Sequence, residues 1–113
     1  MKTIIAGSRS FSNYELLRDF CDKFNITEVI SGTDPGADRL GERYALERGI
    51  PIKRFPADWA RYGKSAGYIR NEQMADHGER LIAFWDGNSR GTYNMIKIAK
   101  EYKLKEIQVK IYP

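Results

Sequence analysis

Four segments of the chain combine glycine with hydroxyl, carboxylate or guanidinium side chains: Gly7–Ser12, Gly32–Asp38, Pro56–Lys64 and Asp86–Thr92. The chemistry they suggest is capture of an anion. Glycine lets backbone approach a ligand, unpaired N–H groups at a helix start attract negative charge, and arginine offers phosphate a planar fork. In the first segment Gly7 permits the approach, Ser8 brings a hydroxyl and Arg9 the fork; a tight turn with a solvent-facing arginine is the structural alternative. In the second, Gly32 and Gly36 flank Thr33 at a predicted helix start, with neither Walker nor G-x-G-x-x-G spacing. Asp34-Pro35 there also fits an N-cap followed by proline at the first helical position. Asp38 is placed to accept from a ribose hydroxyl or from the backbone of another loop. In the fourth segment Arg90, Gly91 and Thr92 open a helix, with Ser89 as its ordinary cap.

Arg70 is the most informative single residue. It stands four positions after Ala66 and four before Met74, so it borders the buried stripe of a helix running from about Ser65 to His77. A guanidinium there needs a partner. Asp38, Asp58 or Asp86 would make a structural ion pair; a ligand phosphate would make a binding site. Asn71 beside it is placed to orient a loop or the ligand. Arg70 and the same three aspartates are also the candidates for any catalysis. Lys64 can meet phosphate as a point charge, and Trp59 can stack on a base, with Tyr68 a weaker candidate. Trp85 ends a buried strand and reads as core.

These residues need a scaffold that brings four turns to one edge. Apolar, β-branched runs at Lys2–Ala6, Glu28–Ser31, Pro51–Phe55, Leu81–Trp85 and Ile107–Ile111 alternate with helical patterns. Strictly alternating strands and helices imply right-handed crossovers and a parallel sheet. The expected fold is a Rossmann-like three-layer α/β/α domain spanning residues 1–113, its five-stranded parallel sheet in the order 3-2-1-4-5. The links from helix to strand are short and plain, whereas those from strand to helix carry the chemistry. All four of the latter then lie at the carboxyl edge of the sheet, where open α/β folds bind ligands. Ser12 with Glu15 fits a capping box for the first helix. Its stripe of Leu16, Leu17, Phe20, Cys21 and Phe24 makes Cys21 a core residue. Tyr102 joins Met95, Ile98 and Ala99 on the inward face of the last helix.

Composition narrows the class. Apolar residues are 42% and charged residues 30% of the 113, which fits a folded domain and excludes a disordered one. One cysteine and one histidine leave a zinc site only carboxylates, so no metal is expected. No apolar run reaches the ~20 residues that span a bilayer. Met1-Lys2-Thr3 leads straight into a strand, so a cytoplasmic location is expected. The net charge of +4 favours anionic partners, yet is too small to argue for nucleic acid by itself.

Taken in order, Gly7-Ser8-Arg9, Ser31-Gly32, Gly36-Ala37-Asp38-Arg39 and Phe55-Pro56-Ala57-Asp58-Trp59 carry a resemblance. It continues through Gly63-Lys64, Ala66-Gly67, Arg70-Asn71 with Met74, and Arg90-Gly91-Thr92. The chain resembles the SLOG superfamily, in particular its small YspA-like branch of bacterial and phage proteins. That resemblance implies a nucleotide-binding domain. Relatives in the superfamily include the Lonely Guy phosphoribohydrolases, DNA-processing protein A, and sensors of NAD- or ADP-ribose-derived signals. In the phosphoribohydrolases an Arg-Lys pair precedes a Gly-Gly-x-Gly-Thr-x-x-Glu turn. Here Arg70 matches the arginine and Gly91-Thr92 the Gly-Thr, but Asn71 replaces the lysine and Met95 the catalytic glutamate. Nucleotide binding carries over; hydrolysis loses the carboxylate it would use.

The leading expectation is a binding module or sensor for a small-molecule ligand, a nucleotide or an NAD/ADP-ribose-like phosphate; no cofactor is specified beyond such a ligand. A nucleoside-monophosphate N-glycosidase or related nucleotide hydrolase is the alternative. A nucleic-acid-associated protein is the third reading, and a second copy of the chain is a further candidate partner.

Overall fold

The computed structural model describes residues 1–113. Five strands, β1 (Lys2–Gly7), β2 (Glu28–Ser31), β3 (Ile52–Arg54), β4 (Arg80–Trp85) and β5 (Glu106–Ile111), alternate with helices. All pairings are parallel, and the sheet order is β3-β2-β1-β4-β5. The order reverses between β1 and β4, where Thr3 to Gly7 run beside Arg80 to Phe84. The expected architecture is the one observed.

The helices are α1 (Tyr14–Cys21), α2 (Ala37–Arg48), α3 (Trp59–Tyr62), α4 (Ala66–His77) and α5 (Arg90–Glu101). Strand residues alternate between two cores. Ile5, Val29, Ile82 and Phe84 face α1 and α2, where Leu17, Cys21, Ala37, Tyr44 and Ala45 are buried. Ile4, Ala6, Ile30, Leu81 and Ala83 face α4 and α5, against Met74, Ala75, Met95, Ile98 and Ala99. Cys21 is fully buried, and desolvation pushes its thiol up to about 12, so it is inert packing. Gly49, in a left-handed conformation, ends α2 as its position before Pro51 foretold. No helix is long and apolar enough to cross a membrane.

Several local expectations are corrected. Asn13, not Ser12, caps α1, its side chain accepting from Leu16 N–H; Phe11 is drawn into the core on Phe84, ring centroids 4.9 Å apart, and the helix starts one residue later. Gly36, not Asp34, holds the N-cap position of α2, so Pro35 lies before the helix. The stretch Pro56–Lys64 is not all loop: Asp58 caps the short α3, and a 3-10 turn at Gly63–Ser65 leads into α4. In α4 Arg70 does not merely border the stripe of Ala66 and Met74: it and Asn71 are themselves buried. Tyr102 is 42% exposed, because it lies past the last turn of α5, whose buried face is completed by Ile96. In β5 Val109 and Ile111 are exposed, whereas the intervening Gln108 and Lys110 are partly buried. Trp85 is half-buried against the α4/α5 core, its indole N–H donating to the Ser89 carbonyl at 3.0 Å.

Candidate functional site

At the carboxyl edge of β1, β2 and β4 a cleft of about 480 Å³ opens between the loops that enter α1, α2, α4 and α5. Its walls bring together Gly7, Ser8 and Arg9 after β1, Asp38 of α2, Trp59 of α3 and Lys64 of the 3-10 turn. Arg70 and Asn71 of α4, and Asp86, Gly91 and Thr92 of the β4–α5 turn, complete the set named from sequence. Five other candidates lie outside it. Gly32 and Thr33 sit behind Arg70, Gly36 packs under the β1 loop, Asp58 caps α3, and Arg90 is exposed on α5. Asp58 instead lines a second cavity of about 230 Å³ with Arg61, Tyr62 and Gln73, on the far side of Arg70.

The loop after β1 is the hub. The Ser8 N–H donates to the Phe84 carbonyl, its carbonyl accepts from Phe11 and Ala37, and its hydroxyl accepts from the Asp86 N–H. A Cβ on Gly7 would stand 2.3 Å from the Phe84 oxygen, so the glycine is dictated by the close approach of β4. Gly36, at φ +80°, lies so near the Ser8 and Arg9 carbonyls that a Cβ there would stand 2.4 and 2.5 Å from their oxygens.

Arg70 is 7% exposed, and it has protein partners. Nε donates to Asn71 Oδ1, Nη1 to the Gly32 carbonyl, and Nη2 to Asp34 Oδ2 at 3.1 Å. Sequence offered Asp38, Asp58 and Asp86 as its carboxylate; the structure supplies Asp34, because the β2–α2 loop folds over this face of α4. Asn71 extends the chain of contacts, donating to Asn94 Oδ1 at 2.9 Å and to the Gly91 carbonyl. The α4 pair therefore ties the β2–α2 loop to the start of α5.

The carboxylates differ sharply. Asp38 is 5% exposed and accepts only the Asp34 N–H, at 3.2 Å. Burial pushes its pKa up to about 7, against the opposing pull of that N–H and of Arg70. Asp86 accepts from the backbone N–H groups of Ser89 and Asn88, each at 2.8 Å, which holds it below the usual carboxylate range. Asp38 is thus a group that can give a proton near neutrality, and Asp86 is a fixed anion that shapes its own turn.

Sequence reasoning missed Asp34 as a cleft residue, along with Ser10, Gly67 and the apolar floor of Met74 and Met95. A signal for Asp34 was present: the residue before a proline is biased away from helix, which removes it from α2 and frees its side chain to reach α4. Met95 on that floor is 1% exposed.

A parallel sheet whose strand order reverses beside a polar cleft defines a Rossmann-like α/β domain. The family described as YAcAr, the YspA, cpYpsA-related SLOG family, matches residues 1–62, and the chain belongs to that family. It is 29% identical over 111 residues to the gene 61 protein of Mycobacterium phage D29, covering 88% of this chain and 89% of that one. In three dimensions it is similar to DNA processing protein A from Streptococcus pneumoniae, with TM-score 0.72 over 96% of this chain at 15% identity. At that identity the likeness is one of fold, and the chain spans about half (49%) of the length of that neighbour.

Proposed function

We propose that the cleft binds a nucleotide or a nucleotide-derived phosphate ligand. The observation that carries this reading is the convergence of Arg9, Lys64 and Arg70 with the start of α5 on one cleft. The N–H groups of Arg90 and Gly91 have no partner in the chain, the first turn of α5 has no acidic residue, and Gly91 leaves open space beside it. A phosphate seated there meets unpaired donors and the positive end of a three-turn helix. Trp59 and Tyr68, 52% and 48% exposed, line the same cleft and offer a base two aromatic faces. Asp38, neutral or charged near pH 7, is suited to a ribose hydroxyl.

The same carboxyl supports one second reading, an N-glycosidase-type hydrolase with Asp38 as proton donor to the leaving base. A thermal-shift screen with nucleoside mono- and diphosphates, NAD and ADP-ribose tests the first reading, and chromatography of each mixture for released base tests the second. A ligand at 100 times its Kd should add about 2.7 kcal/mol of stability. No stabilisation by any nucleotide would overturn the proposal; salt-sensitive binding of single-stranded DNA or RNA in its place would move the function to nucleic acid.

A further inference from the structure

We infer that Asp34 is a specificity-determining residue of the cleft: its carboxylate occupies the arginines that a ligand phosphate must reach, so the site admits phosphomonoesters and diphosphates and rejects singly charged phosphodiesters. This rests on the phosphate-binding reading above. Asp34 Oδ2 lies 3.1 Å from Arg70 Nη2, and Oδ1 lies 3.8 Å from Arg9 Nη2. It is the only carboxylate within 4 Å of either guanidinium, and it lines the cleft itself. The other two nitrogens of Arg70 already donate to Gly32 and Asn71. Each nitrogen of the deep cation therefore already has a protein partner, and its one charged partner is an anion that lines the cleft.

That partner is tethered. A carboxylate held on a short turn competes at an effective concentration of millimolar or more. A phosphodiester brings one negative charge, the same as Asp34, and has to displace it from free solution. A phosphomonoester carries about −1.5 to −2 at neutral pH. A diphosphate distributes at least as much over two groups and can address Arg9 and Arg70 together. Only these outbid the internal carboxylate. The turn that presents Asp34 is itself held under strain: Thr33, β-branched, sits at φ +67°, fixed by its N–H on Ser31 Oγ and its carbonyl on Arg39. Pro35 on the other side restricts Asp34 to extended backbone and directs it across the cleft instead of into α2.

The test compares methyl phosphate, inorganic pyrophosphate, dimethyl phosphate and a single-stranded oligonucleotide lacking terminal phosphates, titrated by NMR into the wild-type chain and Asp34→Asn. Asparagine keeps an oxygen for the Arg70 hydrogen bond and removes the charge. The wild type should prefer methyl phosphate and pyrophosphate to dimethyl phosphate and the oligonucleotide by about tenfold or more. Asp34→Asn should bind dimethyl phosphate and the oligonucleotide about tenfold more tightly and lose most of the preference. Adding Arg9→Gln to Asp34→Asn should cancel part of that gain. Binding of dimethyl phosphate that is unchanged or weaker in Asp34→Asn, with methyl phosphate still bound by the wild type, overturns the role of Asp34 and leaves the phosphate site standing. Failure of every phosphate to bind either protein overturns both. The wild-type ratio needs no variant: equal affinity for methyl and dimethyl phosphate is enough to reject the inference.

Discussion

The β2–α2 and β4–α5 turns meet on the same cleft with the same kinds of residue, two or more small groups, an acid and the start of a twelve-residue helix. They have been resolved in opposite ways. The first is filled by the protein: Asp38 is buried in the opening turn of α2, Asp34 lies on Arg70, the Gly32 carbonyl is taken, and Gly36 is packed under Ser8 and Arg9. The second keeps its acid, Asp86, before the helix as a turn-former, and leaves the opening of α5 free of negative charge. A glycine-rich turn at a helix start is an anion site only when no side chain of the protein has already answered the dipole. By that criterion the α5 turn is the open seat for the proposed ligand, and the α2 turn forms the wall beside it, with Asp34 facing the same cleft.

Arg70→Ala should have the largest effect. If the α2 turn is structural, truncation strands Asp34 and the Gly32 carbonyl, and the unliganded protein should lose roughly 3–5 kcal/mol in chemical denaturation. Arg70→Lys should recover little, because an ammonium cannot serve three acceptors in one plane. An unchanged apo melting temperature would show that the α2 turn stands without its clamp.

Asp38→Asn addresses the buried acid. The folded protein holds the Asp38 proton up to about pH 7, whereas the unfolded chain releases it near the ordinary aspartate value of 3.8. The folded state therefore binds the extra proton between those limits, and Asp38 subtracts stability progressively as pH rises through that window. Asp38→Asn should leave stability nearly unchanged at pH 4 and raise it at pH 8 by at most ~4 kcal/mol. A gain that does not grow with pH would mean that Asp38 is not titrating as described.

The glycines sharpen the contrast further. Gly36→Ala forces a side chain into a left-handed position against two carbonyls and should cost roughly 2–3 kcal/mol. Gly91→Asp gives α5 the acid that α2 already has. It should weaken phosphate binding by about tenfold or more. The same change should leave the fold intact or make it more stable by about 0.5–1 kcal/mol, since Gly91 is helical, exposed and without close neighbours. Retained phosphate binding in Gly91→Asp would move the ligand to the α2 side.

How much of this was legible follows from the range of each interaction. The strand order, the carboxyl-edge location of the four loops and the inward stripe of α1 depend on patterns repeated over five to twelve neighbouring residues, and they were read correctly. The boundaries were less legible. Ser12 and Asn13 are both competent caps, and burial of Phe11 on Phe84 chose between them. The helical turns between Asp58 and Ser65 were hidden because a four-residue helix has no periodicity to detect.

The sequence by itself determined an alternating α/β chain, a parallel sheet and a polar edge, since backbone sterics and apolar spacing act locally and leave few ways to bury both faces. It also determined that Arg70 needs a partner. Only the tertiary structure decided which one. Arg70 reaches Gly32 and Asp34 from 38 and 36 residues away, and Asp34 rather than Asp38, Asp58 or Asp86 lies in range because the loop after β2 crosses α4. Charge and hydrogen-bonding appetite are properties of a residue type, while the partner that satisfies them is a matter of a few ångströms, set when distant segments pack.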